Sequence, residues 1–473
     1  MTITEDLATA RARSRTRAQD LREQILALTA QYQELAGDAK AAFVPGRSVI
    51  PYAGRVYGAE EMCAAVDASL EFWLTAGRWS RRLEALLAER VAQTHARLVN
   101  SGSSANLVAV AALRSPLLGE RRLLAGDEVL TVAAAFPTTV APIVQAGLTP
   151  VFVDVRDDTA NVDVERLAEA IGPRTRAIVL AHTLGNPFDL DAVTALCRQH
   201  DLLLVEDNCD ALGSTYTPRT GPYAGHRRPT GSFGNLATSS FYPAHHITTG
   251  EGGAVYTSDA DIERAVSSLR DWGRDCWCDP GKSDTCGERF GHCLGLLPDG
   301  YDHKYVYSHF GYNLKMTDLQ AAIGVRQVDR LDDFTLARKE NHARLTRALA
   351  PAADVIALPS PTPQSDPSWF AYLMVVRDDA PFTRAELVVH LENARIQTRM
   401  LFAGNIVQQP MFDEMRAAGT GYRVSGPLTV TDRLMRGAVL VGCYPGLSGE
   451  QVDYIGECIN SFVAGAKLRR GTW

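Results

Sequence analysis

From about residue 77 onward, short apolar runs alternate with helical stretches, and that alternation restricts the chain to few folds. Residues 128–134, 150–155, 177–181 and 202–205 are rich in Val, Ile and Leu without a polar alternation, so they read as strands buried on both faces. Residues 103–113 and 191–199 lie between them as helices. Strand, helix, strand repeated in this way predicts an α/β unit: an open, mostly parallel sheet with helices on both faces. Ligands of such sheets bind beyond the carboxyl ends of the strands. The run Glu206-Asp207-Asn208-Cys209-Asp210 falls at that place, directly after the strand at 202–205.

Three regions emerge from the pattern: residues 1–76 as a helical segment, 77–331 as the large unit, and 332–473 as a smaller α+β unit. The first contains an amphipathic helix over residues 8–36, with Leu21, Ile25, Leu26, Leu28, Tyr32 and Leu35 at helical spacing, expected to pack on another element or a second subunit. The large unit includes a loop-rich stretch at 271–312 with many Gly, Cys and aromatic residues. A net charge of −7 gives no reason to expect nucleic acid or an anionic membrane as partner. No apolar run reaches the roughly 18 residues of a membrane span, and the start, Met1-Thr2-Ile3-Thr4-Glu5-Asp6, lacks a secretory pattern, so a cytoplasmic location is expected.

Asn100-Ser101-Gly102-Ser103-Ser104-Ala105-Asn106 opens a helix with Gly and Ser, a pattern that suits an anion at a helix N-terminus and equally an ordinary Ser cap. The run Ser240-Phe241-Tyr242-Pro243-Ala244-His245-His246-Ile247-Thr248-Thr249-Gly250-Glu251-Gly252-Gly253 resembles the cofactor-anchoring segment of the sugar-modifying aminotransferases of the DegT/DnrJ/EryC1/StrS family. There, a lysine bonded to pyridoxal phosphate stands where this chain has His245. An imidazole cannot make that bond, but it can move a proton near neutral pH. The resemblance implies the pyridoxal-phosphate-dependent transferase fold type I, like aspartate aminotransferase. It further implies that Ser103, Ser104 and Ser240 reach the cofactor phosphate, that Phe136 stacks on its ring, and that Asp207 pairs with the pyridine nitrogen. Asn313 would be supplied across a homodimer interface.

Of nine cysteines, Cys63, Cys197, Cys293, Cys443 and Cys458 stand alone and read as small buried hydrophobes. The other four form a spaced set: Cys209, 66 residues, Cys276, one residue, Cys278, seven residues, Cys286. Four thiolates can hold zinc or an iron–sulfur cluster. Asn208-Cys209-Asp210, Asp275-Cys276-Trp277-Cys278 and Ala181-His182-Thr183-Leu184-Gly185-Asn186-Pro187-Phe188 together resemble the PMP-dependent, iron–sulfur 3-dehydratases of deoxysugar biosynthesis, the group of CDP-4-keto-6-deoxyglucose 3-dehydratase and its TDP-sugar counterparts. That group implies pyridoxamine 5'-phosphate, a [2Fe–2S] cluster on Cys209, Cys276, Cys278 and Cys286, a nucleotide-sugar substrate, and an electron-donating reductase, either an NAD(P)H-dependent iron–sulfur flavoprotein or a ferredoxin or flavodoxin system. His245 would act as base, with Asp210 and Tyr242 tuning the cofactor. The segment at 217–230, with Arg219, Arg227 and Arg228, is longer than its counterpart in that group.

Other readings stay open on sequence alone. They are a sugar aminotransferase using another lysine, an iron-free 3-dehydratase of the GDP-4-keto-6-deoxymannose type, a 3-dehydratase acting on a 4-keto sugar nucleoside, and a silent regulatory protein that keeps the fold.

Overall fold

The structure is a computed structural model that describes residues 3–38, 42–278 and 281–470. Asp279, Met1, Thr2 and the final residues up to Trp473 lie outside the described residues. An eight-stranded sheet forms the large unit, in the order His95–Val99, Gly253–Thr257, Leu236–Ser240, Leu203–Asp207, Thr175–Ala181, Glu128–Val132, Thr149–Val153, Arg423–Val424. Neighbours from Leu236–Ser240 to Arg423–Val424 pair in parallel, and only Gly253–Thr257 runs against the rest. The four strands expected from sequence are all present, shifted by one or two residues. Their side chains are buried almost throughout because helices cover both faces, which is why their sequences run apolar without alternation.

A three-stranded antiparallel sheet, Ile356–Ala357, Ala371–Val376 and Ala438–Gly442, carries the smaller unit. The helix Leu331–Leu349 begins against the large unit through Leu331 and Phe334 and ends in the small unit's core through Leu345 and Leu349. Ile50, before the first large-unit helix, also lies in that small core and pairs with Ile396.

Helix α1 (Ile3–Asp38) lies against α2 (Ala59–Glu71). Arg22 joins them, its Nε 2.6 Å from Asp67 and an Nη 2.9 Å from Glu71. Of the apolar positions expected to pack on another element or a second subunit, Leu21, Ile25, Leu28, Tyr32 and Leu35 are exposed on this chain and Leu26 is half-buried. Helix α3 (Arg78–Val91) buries Trp79, Leu83, Leu87 and Val91 beneath the sheet. Its start is fixed by Asp318, which accepts from the backbone N–H groups of Gly77 and Ser80. Among the described residues, no helix is long and apolar enough to cross a membrane.

Candidate active site and cysteine loop

Asp207 ends its strand with the carboxylate nearly closed off from solvent, and four protein donors hold it. Asn106 Nδ2 (2.8 Å) and Thr139 Oγ1 (2.7 Å) donate to Oδ2, while Thr238 Oγ1 (3.4 Å) and the Cys209 N–H (3.2 Å) approach Oδ1. Thr238 also donates to Asn106 Oδ1 at 2.7 Å, so three side chains from three elements lock one another. The preceding Glu206, fully buried, accepts from the backbone N–H groups of Gly231, Phe233 and Gly234 and sits 3.0 Å from His182 Nε2. These bonds satisfy a buried charge and fold the 231–234 turn against the strand end.

Helix α4 (Gly102–Ala112) opens beside this floor. Ser101 caps it, accepting from the Ser104 N–H at 3.0 Å, and Ser103 donates to Thr138 at 3.1 Å. A Cβ on Gly102 would lie 2.4 Å from Ser240 Cβ, so only glycine lets the helix start come this close to Ser240. Hydroxyls of Ser101, Ser103, Ser104 and Ser240 thus gather at one free helix N-terminus, which is the donor set a phosphate needs. The chain fits the cofactor at both ends: anion donors here, and an oriented carboxylate acceptor at Asp207. Phe136, half-exposed, precedes α5 (Pro137–Gln145) and packs edge-on against Phe402. Asn313 is exposed beside Lys315 and pairs through its backbone with Asp271, while Tyr242 stands about half in solvent.

His245 lies in a tight turn, its N–H donating to the Tyr242 carbonyl at 2.9 Å. Its Nδ1 is 3.4 Å from Asp210 Oδ1, close enough for an ion pair but without hydrogen-bond alignment. Its ring packs 5.2 Å from Phe370 at a 36° tilt. Arg338, a guanidinium buried to 1 % exposure, binds this arrangement from behind. It donates to the His245 carbonyl (2.9 Å) and to the carbonyls of Trp369 (3.1 Å) and Phe370 (3.0 Å), tying the turn to the small unit. Burial lowers the Arg338 pKa, and nearby Cys443, Tyr52 and Asp210 act against it. The adjacent His246 has another fate: fully buried, it is held well below the usual histidine range by desolvation and then by Arg338, and its Nε2 donates to the Ser368 carbonyl at 2.8 Å.

The cysteine set divides. Cys276, Cys278 and Cys286 come together in the loop, where Cys276 Sγ, Cys286 Sγ and one ring nitrogen of His303 lie within 4.8 Å of one another. Burial pushes the Cys276 thiol up to about 11. Burial also acts to raise Cys278, but hydrogen bonds from Thr285, the Cys286 backbone and the two neighbouring thiols outweigh it and bring Cys278 down to about 7. Cys209 is not among the groups that lie within 4.8 Å of one another in the loop. Desolvation first, and then the charge of Asp207, hold its thiol well above its ordinary value in the cofactor floor. Cys293, expected to be buried, is exposed and donates to Asp299 at 3.1 Å, because the loop around it forms no core. Cys197 and Cys443 are buried, and Cys63 and Cys458 partly so.

Several contributors carry no clear signal in sequence. Asn106 stands inside the Gly/Ser run and Thr139 just beyond Phe136, but neither residue type marks a carboxylate partner by itself. Arg338 and Phe370 are remote in sequence from His245, and His303 comes after Cys286 only beyond a structureless stretch.

The sequence model of the DegT/DnrJ/EryC1/StrS aminotransferase family matches residues 57–460. The chain is 49% identical over 438 residues to the lipopolysaccharide biosynthesis protein RfbH of Salmonella typhimurium, covering 93% of this chain and 97% of that one. It is 48% identical to dTDP-4-dehydro-2,6-dideoxy-D-glucose 3-dehydratase of Saccharopolyspora spinosa over 94% of this chain and 93% of that one. Among solved structures, GDP-4-keto-6-deoxymannose-3-dehydratase with bound GDP-perosamine superposes with a TM-score of 0.76 at 26% identity, covering 86% of this chain and 99% of that one. The same enzyme with a trapped PLP-glutamate geminal diamine gives 0.75 at 26% identity and the same coverage.

Proposed function

This chain belongs to the DegT/DnrJ/EryC1/StrS aminotransferase family, with its pyridoxal-phosphate-dependent aminotransferase-like fold; from that premise we propose that it is a cytoplasmic 3-dehydratase removing the C-3 hydroxyl of a nucleotide-activated 4-keto-6-deoxyhexose. The substrate is a dTDP-4-keto-2,6-dideoxyhexose or a CDP-4-keto-6-deoxyhexose. The observation that carries this reading is His245: a histidine occupies the anchoring position, restrained by Asp210, Phe370 and Arg338, at the rim of a site that otherwise keeps the cofactor floor intact.

Pyridoxamine phosphate, when bound, supplies the amine that condenses with the 4-keto group and the electron sink that lets the C-3 hydroxyl leave. Asp207 would pair with its ring nitrogen, Ser103, Ser104 and Ser240 would hold its phosphate, and Phe136 would pack on its ring. His245 would accept a proton: its Nδ1 lies 3.4 Å from Asp210 Oδ1, which leaves Nε2 as the accepting nitrogen. Asp210 steadies the resulting imidazolium, and Tyr242 lines the open side.

The net change, loss of water at C-3 and then addition of two electrons and two protons, needs an external reductant. A flavin or iron–sulfur reductase is the partner, and Cys209, Cys276, Cys278 and Cys286 are the thiolates that would hold a [2Fe–2S] unit, which when bound would supply electrons one at a time. Cys209 is the member adjacent to the floor, two residues after Asp207. The active unit is a homodimer with Asn313 reaching the neighbouring site.

The test is turnover of CDP-, dTDP- and GDP-4-keto-6-deoxy sugars, a 2-deoxy dTDP sugar and a 4-keto sugar nucleoside, each with a reducing system. Formation of the 3-deoxy-4-keto sugar from a CDP or dTDP substrate is expected. Transfer of an amino group from glutamate, or deoxygenation without external electrons, overturns the reading.

A further inference from the structure

We propose that the outward face of α1 is a docking surface for α1 of a second copy of this chain, the two helices lying antiparallel about a twofold axis. A different side of the helix holds it to its own subunit. There Arg22 reaches Asp67 and Glu71, and the Cys63 thiol donates to the Leu26 carbonyl at 3.4 Å. Leu26, Thr29, Ala30 and Gln33 are half-buried on this side, which meets α2. The larger apolar side chains stand about a quarter turn further round the helix. Leu21, Ile25, Leu28, Tyr32 and Leu35 are 39 to 76 % exposed. A contiguous apolar stripe left in solvent beside a well-anchored face marks a contact with another molecule.

The spacing identifies the occupant. From Ala18 to Leu35 the stripe advances by three, four, three, four and three residues with no polar residue at any of these positions. That is the strict 3.5-residue repeat of a two-helix seam, narrower than the stripe of a helix laid on a globular core. The repeat also fits itself. Turned end for end about a point between Leu26 and Ala27, it sets Ile25 against the partner's Leu28, Leu21 against the partner's Tyr32, and Ala18 against the partner's Leu35. Each pair then occurs twice, as a twofold contact between identical surfaces requires. Charge chooses the direction: Arg15 and Arg17 stand at one end of the stripe and Glu34 at the other. An antiparallel pair brings the basic end of each helix level with the acidic end of its mate, whereas a parallel pair sets the arginines beside their own copies. A seam about 26 Å long is short for a free coiled coil. Here α2 fixes each helix beforehand, so association does not have to order it.

Sedimentation velocity of the full-length protein over a dilution series tests this. Leu28→Glu and Ile25→Lys are each expected to raise the dissociation constant of the assembly by more than about 10-fold. An equimolar mixture of the two variants is expected to regain association, because the antiparallel register places the two substituted positions opposite each other. Ala27→Glu, exposed on the same helix but outside the stripe, should sediment as wild type does. All three positions are exposed on the single chain, and far-ultraviolet circular dichroism reports that each variant is folded. Unchanged sedimentation in Leu28→Glu, no recovery in the mixture, or equal dissociation in Ala27→Glu would each overturn the proposal. Unchanged assembly in Leu28→Glu together with slower turnover only when electrons arrive through the reductase would assign the stripe to that reductase instead. The sedimentation results stand whether or not the chain is a dehydratase, and they do not depend on Asn313.

Discussion

Asp207 is 4 % exposed and gripped by Asn106, Thr139, Thr238 and a backbone N–H, whereas Cys276, Cys278 and Cys286 sit half-buried in a loop whose Trp277, Phe290 and Leu296 stand in solvent. The first region draws its order from the sheet: its donors come from α4, α5 and a neighbouring strand, each fixed by a packed core. Among the described residues, the second has turns, an isolated bridge between Arg274 and Tyr307 and one short 3₁₀ segment at His303–Tyr305, and no strand or α-helix carries its thiols. Where secondary structure does not organise ligands, metal binding supplies folding free energy instead. The contrast predicts that the two regions fail separately.

The largest effect should come from the loop. Cys276→Ser or Cys286→Ser is expected to bleach the iron–sulfur spectrum and abolish net deoxygenation, while pyridoxamine phosphate binding and proton exchange at the cofactor methylene persist. Absorbance, electron paramagnetic resonance and exchange in D₂O read these in one preparation. Loss of cofactor binding in either variant would show that the loop supports the floor and would break the contrast.

The converse is expected at the base. His245→Asn should slow proton exchange by about 10²- to 10⁴-fold with the cluster spectrum intact. Undiminished exchange would remove His245 from that role.

A smaller loss is expected in the floor. Asn106→Ala or Thr139→Val deprives a buried carboxylate of one donor, which costs about 1.5–3 kcal/mol. The outcome is weaker cofactor retention and a lower melting temperature, with unchanged iron content. Equal retention in both variants and wild type would mean that Asp207 is held without them.

The smallest effect lies at the sheet edge and depends on pH. Burial acts to raise the Glu128 carboxyl, but Arg423 and Arg174 outweigh it and hold it below its ordinary value of 4.5. A depressed folded value means the stabilisation is complete above about pH 4.5 and disappears as pH falls through the lower folded value. Arg423→Ala should therefore cost under about 1 kcal/mol at neutral pH and lose that difference in acid. Chemical denaturation of both proteins at about pH 7 and about pH 3 checks the sign. A difference that grows in acid would contradict it.

Legibility in the sequence runs along the same divide. Strands at 128–134, 150–155, 177–181 and 202–205 are readable because burial on both faces leaves continuous apolar runs. Asp207 is placed by its strand, whose carboxyl end points at the ligand side of the sheet. His245 is readable because one residue type replaces another in an otherwise matching segment. The helix at 8–36 is legible, but not the exposure of its apolar positions, since periodicity reports a face and not the element that covers it. Cys293 reads wrongly as buried because burial of a lone thiol depends on a core that the loop never forms.

By itself, the sequence determined the element order and the strand-end carboxylate, which depend on residue type and local spacing, while the roles expected of His245 and of the four spaced cysteines rest on the family resemblance. Tertiary structure alone decided which groups meet. Arg338 reaches the His245 carbonyl from a helix 93 positions away, Asn106 and Thr139 converge on one carboxylate oxygen, and His303 joins the loop thiols while Cys209 stays in the floor. Hydrogen bonds and ligand sets require distances of a few ångströms, and only packing brings residues so far apart in sequence to that range.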